Sequence, residues 1–323
     1  MARAWEVDTH ATYTSGLLNF IVFCDMKGIP EADRAPASHI LLLSFVSTLA
    51  AAYSGSAISN YLYGVRAWHI LHGIPWRVER IEMDTMLKAA EKMTPPSSKR
   101  KKRRPYTIEF ILAIPQRLDL QKPLDASVFA CLSTCFFVTG RVGEFTVPKL
   151  DGFNPEAHVS KAGLSYDQSR DGQQVTVLRI PRTKTVPQGE DVCWAKQDGP
   201  IDPDAALVHH LEVNAPPDNA HLFAYRHKGG HRPLTKSKFI SELAKAARAA
   251  SLEPLQGHGI RIGSTLEYLL RGVPFDVMKV KGRWSSDAFT LYLRKHAQIL
   301  APYIQAAPAV HDTFTRLMMP AVR

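Results

Sequence analysis

The chain has 323 residues, 45% hydrophobic and 22% charged, which allows one large domain or two medium ones with real buried cores. Its net charge of +10 points to a polyanionic partner, nucleic acid first and an anionic membrane surface second. The composition gives no grounds for a disulfide framework or a zinc site. Cys24, Cys131, Cys135 and Cys193 form no CxxC pair and read as buried thiols of a reducing compartment.

The opening MARAWEVDTH has no apolar signal region. From Thr12 to Cys24, apolar Leu17, Leu18, Phe20 and Ile21 recur at helical spacing, and Gly28 and Pro30 stop the run. Residues 40–53 are densely apolar but too short to span a bilayer, so they read as a buried helix capped by Ser38. A third helix is expected from a Ser56 cap, with Ile58, Leu62, Val65 and His69 on one face, and a fourth from Asp84 to Met93. Residues 1–94 thus read as a small helical bundle. Eight basic against nine acidic residues leave it at −1, so any polyanion contact must use a local face such as Arg66, His69 and Arg77.

Residues 95–105, PPSSKRKKRRP, read as an extended linker and a domain boundary, because the prolines disfavour helix at both ends. Six consecutive cations, Lys99, Arg100, Lys101, Lys102, Arg103 and Arg104, fit a phosphate-tracking strap, a nuclear-import signal or a solvated segment. In residues 106–323, helices are expected at 107–114, 124–138, 141–146, 203–214, 236–250, 258–271, 274–281, 285–296 and 309–318. Between them, 157–195 carries Val175, Val177 and Ile180 among polar residues, with Gly172 and Gly189 as punctuation, which predicts a small antiparallel sheet. Its turn, Pro181-Arg182-Thr183-Lys184-Thr185, puts Lys184 at a tip. The class is α+β, mostly α.

Four patterns in this second region carry chemistry. Gly140 breaks an apolar helix and Arg141 opens the next turn, with Glu144 one turn on to orient the guanidinium. His258 and Arg261 share one face of a helix start, where free N–H groups and the helix dipole also favour an anion. Two arginines on one phosphate neutralise charge building on its non-bridging oxygens. A mobile Lys184 is suited to protonating a leaving oxygen. Tyr292 supplies a phenol that becomes a nucleophile with help from neighbouring cations or from His258. Taken singly, each has a plainer meaning: a surface ion pair, a common HxxR, an exposed hairpin lysine, a core tyrosine. Tyr268 and Tyr303 are rival phenols, Tyr268 reading as core.

The joint order resembles the catalytic domain of the tyrosine site-specific recombinases, the phage-integrase-like DNA breaking–rejoining enzymes. TGRVGEF looks like the first-arginine box, Arg182–Thr185 like the β-turn lysine, HGIR like the His-x-x-Arg box, and GRWSSDAFTLYLR like the last box through the nucleophile. The 117 residues from Arg141 to His258 and the 31 from Arg261 to Tyr292 fit as well. The wording GRWSSDA is similar to recombinases of eukaryotic Crypton- and DIRS-type mobile elements. One departure stands out: the family usually has His or Trp directly after the last-box Gly, and here Arg283 precedes Trp284. Trp284 is expected to pack on the nucleophile helix, with Arg283 as a further phosphate ligand in the other reading.

The resemblance implies a core-binding (SAM-like) bundle, 1–94, a basic linker, 95–105, and a catalytic domain, 106–323. It implies a duplex-DNA partner, contacts from Arg66, Arg182 and Lys99–Arg104, a 3′-phosphotyrosyl intermediate on Tyr292, no metal or other cofactor, and a tetramer on DNA. A C-terminal helix at 309–318 would be swapped between protomers. No membrane partner is expected. Location would be nuclear in a eukaryote and nucleoid or cytoplasmic otherwise. The alternatives are a type IB topoisomerase-like activity and a domesticated, non-cleaving DNA-binding protein.

Overall fold

The computed structural model describes residues 7–99, 101–286, 289–290 and 293–304. It forms two compact units, Met1–Lys102 and Arg103–Arg323.

In the first unit, apolar faces at helical spacing fold into α1 (Val7–Met26), the single turn α2 (Glu31–Arg34), α3 (His39–Leu49), α4 (Gly55–Leu71) and α5 (Arg80–Lys92). Ser38 caps α3, its Oγ accepting the Leu41 N–H at 3.2 Å. Ser54, rather than Ser56, caps α4, because it is the residue with extended backbone and its Oγ accepts the Ala57 N–H at 3.3 Å. Helix α5 starts four residues before Asp84, which brings Met83 into the core. Phe20 and Phe45 meet edge to face at 5.3 Å, surrounded by Leu42, Val46, Ile58, Leu62 and Val65.

His69 belongs to that core and not to a DNA-facing surface. It is fully buried, with Nε2 accepting the Ala37 N–H at 3.1 Å and Nδ1 within 2.9 Å of the Val65 carbonyl. Burial lowers its pKa. Arg66 and Arg77 remain exposed.

The second unit begins with α6 (Ile108–Ala113) and α7 (Pro123–Phe137), whose residues Ala126–Phe137 are all buried. A helix apolar on every side belongs at the centre of a domain, and α7 is the axis of the main core. After it come the short α8 (Val142–Phe145), then β1 (Leu164–Gln168), β2 (Gln174–Ile180) and β3 (Glu190–Ala195), an antiparallel sheet in the order β1-β2-β3. The buried face of β2 is Thr176, Leu178 and Ile180, while Val175 and Val177 are only half-buried. Val175 and Val177 are out of phase with Ile180. Asp204 settles the register by accepting from Thr176 Oγ1 at 2.6 Å and Trp194 Nε1 at 2.7 Å.

Next are α9 (Pro203–Asn214), a small ribbon of β4 (Tyr225–His227) and β5 (Gly230–Arg232) not expected from the sequence, α10 (Lys236–Ala249), α11 (His258–Leu270), α12 (Phe275–Lys281) and α13 (His296–Ile304). The chain is mostly α with a small antiparallel sheet. The helix expected at 285–296 is absent among the described residues of that stretch before His296. Ser285 and Ser286 bend, Phe289 and Thr290 make a 3₁₀ turn, and Arg283 and Lys295 have φ of +57° and +53°, which no α-helix accommodates. Tyr292, Arg100 and the stretch 309–318 lie outside the described residues. All four cysteines are free, and Cys193 is exposed rather than buried. Among the described residues no helix is long and apolar enough to cross a membrane.

The β2 register is tested by truncation. Leu178→Ala should cost about 2–5 kcal/mol in urea unfolding, and Val177→Ala clearly less. A larger effect at Val177 would reverse the face.

Candidate active site

The site grows from the end of α7. Thr139 takes φ +56°, a strained value for a threonine. Its Oγ1 pairs with Ser264 Oγ at 2.8 Å, and its carbonyl accepts Arg261 Nη1 at 2.6 Å. Gly140 and Arg141 follow. Arg141 precedes α8, and the Glu144 carboxylate accepts both the Arg141 backbone N–H at 2.9 Å and its Nη1 at 2.8 Å. The Arg-x-x-Glu spacing thus yields a guanidinium held at one helical turn. The Arg141 side chain is 36% exposed.

His258 and Arg261 lie on the first turn of α11, three residues apart and therefore on one face. Arg261 is 1% exposed, and a buried charge needs compensation on every side. Besides Thr139, its Nη2 donates to the Gly282 carbonyl, and its guanidinium carbon lies 4.2 Å from the Trp284 ring centroid. Trp284 in turn packs on Phe289 at 5.5 Å. Arg261 therefore ties the Thr139–Arg141 turn to the Gly282–Trp284 turn, but its own guanidinium is enclosed. Of the two sequence-predicted arginines, Arg141 is the one that presents surface.

His258 is half-buried, and its pKa is pushed down to about 4, first by burial and then by the positive charges of Arg103, Arg261 and Arg141. The third cation, Arg103, comes from the basic run. Its Nε donates to Gln256 Oε1 at 3.0 Å, and Arg104 pairs with Glu253. Residues 103–106 lie along the face of α11. The Tyr106 N–H bonds the Gly259 carbonyl at 3.0 Å, and a Cβ on Gly263 would sit 1.8 Å from the Tyr106 oxygen. Glycine at 259 and 263 lets that segment close onto the helix.

Arg283 is held between two carboxylates. Its Nη2 donates to Glu144 at 2.5 Å and its Nη1 to Glu190, the first residue of β3, at 2.8 Å, with the side chain 9% exposed. Burial raises the Glu144 pKa, but Arg283 and the hydrogen bonds from Arg141 and Arg283 outweigh it and hold the carboxyl below its usual range. Lys184 and Arg182 are exposed in the loop joining β2 to β3. The structure thus brings Arg141, Glu144, His258, Arg261, Arg283 and Trp284 into one connected group, with Lys184 on a loop whose neck touches it. Lys99, Lys101 and Lys102 are exposed in the first unit.

The sequence reading missed Glu190, the position of Arg103 beside His258 and the Thr139 carbonyl. Glu190 had only a weak signal, an acid directly after the turn glycine Gly189. Arg103, Arg141, Arg261 and Arg283 outnumber Glu144 and Glu190 by two charges, so the site attracts anions. Among the described residues no group of three or more His, Cys, Asp or Glu is placed to hold a metal ion.

The chain matches no protein-family model and no curated protein. Its fold matches solved structures. XerH site-specific recombinase bound to palindromic difH substrate, a post-cleavage complex, superposes with a TM-score of 0.59 at 15% identity, over 91% of this chain and 79% of that one. A lambda integrase dimer bound to a COC′ core site gives 0.50 at 15% identity, over 90% and 89%. The chain has the tyrosine-recombinase fold.

The depressed His258 pKa makes a signed prediction. The folded chain keeps this ring neutral down to about pH 4, while the unfolded chain takes the proton near 6.5, so its contribution to stability is lost as pH falls through that window. An NMR titration of the His258 ring should show a midpoint near 4. Arg103→Gln should move that midpoint upward.

Proposed function

We propose that this protein cleaves and rejoins DNA strands through a covalent tyrosine, in the manner of site-specific recombination. One observation carries the reading. Arg141 shares one cationic site with His258 and Arg261, more than a hundred residues away in sequence, in a fold also found in recombinases solved with DNA.

In this reading Arg141 and His258 meet the scissile phosphate, and Arg261 adds its charge from below. Tyr292 Oη attacks phosphorus, forming the phosphotyrosyl bond as the P–O5′ bond breaks. His258, neutral at pH 7, takes the phenolic proton, and Lys184 gives one to the departing 5′ oxygen. A docked phosphate offsets the three arginine charges around His258, so the ring becomes a stronger base when DNA binds. A 5′ hydroxyl reverses the steps and conserves the bond energy. The Gly282–Ala288 wording supports a finer assignment to Crypton- or DIRS-type enzymes, and the exposed lysines of the basic run support a phosphate strap. Assembly as a tetramer on DNA and a nuclear location in a eukaryote complete the proposal.

Incubation with a nicked suicide duplex should give a protease-sensitive covalent DNA complex, and Tyr292→Phe should keep binding and lose the complex. An adduct surviving in that variant would move the nucleophile elsewhere. Relaxation of supercoiled DNA without joining of two duplexes would favour the topoisomerase reading. Separately, neutralising Lys99–Arg104 should flatten the slope of log affinity against log salt, by about 0.9 for each phosphate the run neutralises. An unchanged slope would leave the run as an import signal or a solvated segment.

A further inference from the structure

We infer that Glu190 is a positioning residue: through Arg283 it holds the β2–β3 loop, and with it Lys184, in register with Arg141. The inference rests on the strand-cleavage reading above and assigns that site a residue outside its motifs.

The argument begins at the neck of the loop. Ile180 and Glu190 are the last paired residues of β2 and β3, so the nine residues 181–189 hang from that pair. The neck is tight. Gly189 has φ +77°, and a Cβ there would lie 2.4 Å from the carbonyl oxygens of both Ile180 and Pro181. The loop has internal order as well: the Thr183 N–H bonds the Val186 carbonyl at 3.1 Å, and Thr183 Oγ1 accepts the Val186 N–H at 3.0 Å. Thr183 is buried and the adjacent Lys184 exposed. From outside, Arg179 Nη2 donates to the Gln188 carbonyl at 2.5 Å. A loop so braced moves with its neck.

Glu190 binds that neck to the site. One Arg283 guanidinium spans Glu190 at 2.8 Å and Glu144 at 2.5 Å, and Glu144 holds Arg141 at 2.8 Å. The chain Glu190–Arg283–Glu144–Arg141 alternates in sign and sums to zero, and three of its side chains are at most 20% exposed. Salt screens such a buried network weakly. Arg283 has φ +57°, a costly conformation for arginine that the two carboxylates offset. Among the described residues its buried Nε has no hydrogen-bond partner, a further cost borne to keep both Nη contacts. This arrangement fits a strut rather than a phosphate ligand.

The test uses the full chain and two nicked duplexes, one ordinary and one with sulfur replacing the 5′ bridging oxygen at the cleaved bond. A departing thiolate needs no proton, so a defect confined to delivery of the general acid disappears on the sulfur substrate. Glu190→Ala should slow covalent-complex formation on ordinary DNA by about 10- to 100-fold and match the unmodified protein on the sulfur substrate. Lys184→Ala should behave alike, and Glu190→Gln, which keeps shape and an acceptor, should show the same substrate pattern more mildly. Glu190→Gln decides the matter if Glu190→Ala does not fold.

Equal slowing on both substrates by the Glu190 variants, with Lys184→Ala rescued by sulfur, overturns the role of Glu190 alone. A Lys184→Ala defect that sulfur does not rescue removes Lys184 as the acid and this inference with it, leaving strand cleavage intact. No covalent complex from the unmodified protein on either substrate removes the cleavage reading itself.

Discussion

The enclosed charge of Arg261 is the constraint on which the site depends. A guanidinium at 1% exposure is tolerable only if its surroundings replace water. Here the replacements come from well-separated parts of the chain: the Thr139 carbonyl after α7, the Gly282 carbonyl after α12 and the face of Trp284. Each partner is fixed by what it does for Arg261. Thr139 holds a strained φ, and Gly282 has no room for a Cβ beneath the indole, which would lie 1.6 Å away. Two turns far apart in the sequence are thereby brought to one place before any ligand is present.

Around this fixed charge, the site divides into a charge-balanced network and a cluster of like charges. Glu190, Arg283, Glu144 and Arg141 alternate in sign, sum to zero and brace the architecture. Arg103, Arg261 and Arg141 surround His258 with positive charge, which adds to burial in lowering its pKa. A histidine kept neutral first by burial and then by neighbouring cations sits where a ligand can bring the compensating negative charge.

The secondary structure was legible where one residue type had a single physical outcome. Helices α7, α9, α10 and α11 fall within a residue or so of their expected bounds, and in the structure Asp202 and Thr235 cap α9 and α10. The sheet was legible but its inward face was not, since Val175 and Val177 are as β-prone as Leu178 and only the partner Asp204 separates them. The stretch after Gly282 misled for another reason. Its amphipathic spacing reads as helix, while the backbone turn at Arg283 is imposed by Glu144 and Glu190, which no local pattern announces. His69 erred in the same direction, as a polar residue whose two ring nitrogens find backbone partners inside the core.

The attachment of residues 103–106 to α11 bears on where the second unit starts. A boundary drawn by composition would cut after Pro105, at the last proline of the basic run. The contacts place it earlier, since Arg103 and Arg104 reach Gln256 and Glu253, and the Arg104 carbonyl lies where a Gly259 side chain would go. A fragment begun at Tyr106 would retain every recognisable motif of the second region. It would nonetheless lack one of the charges that set the protonation of His258, so the smallest piece with native electrostatics starts no later than Arg103.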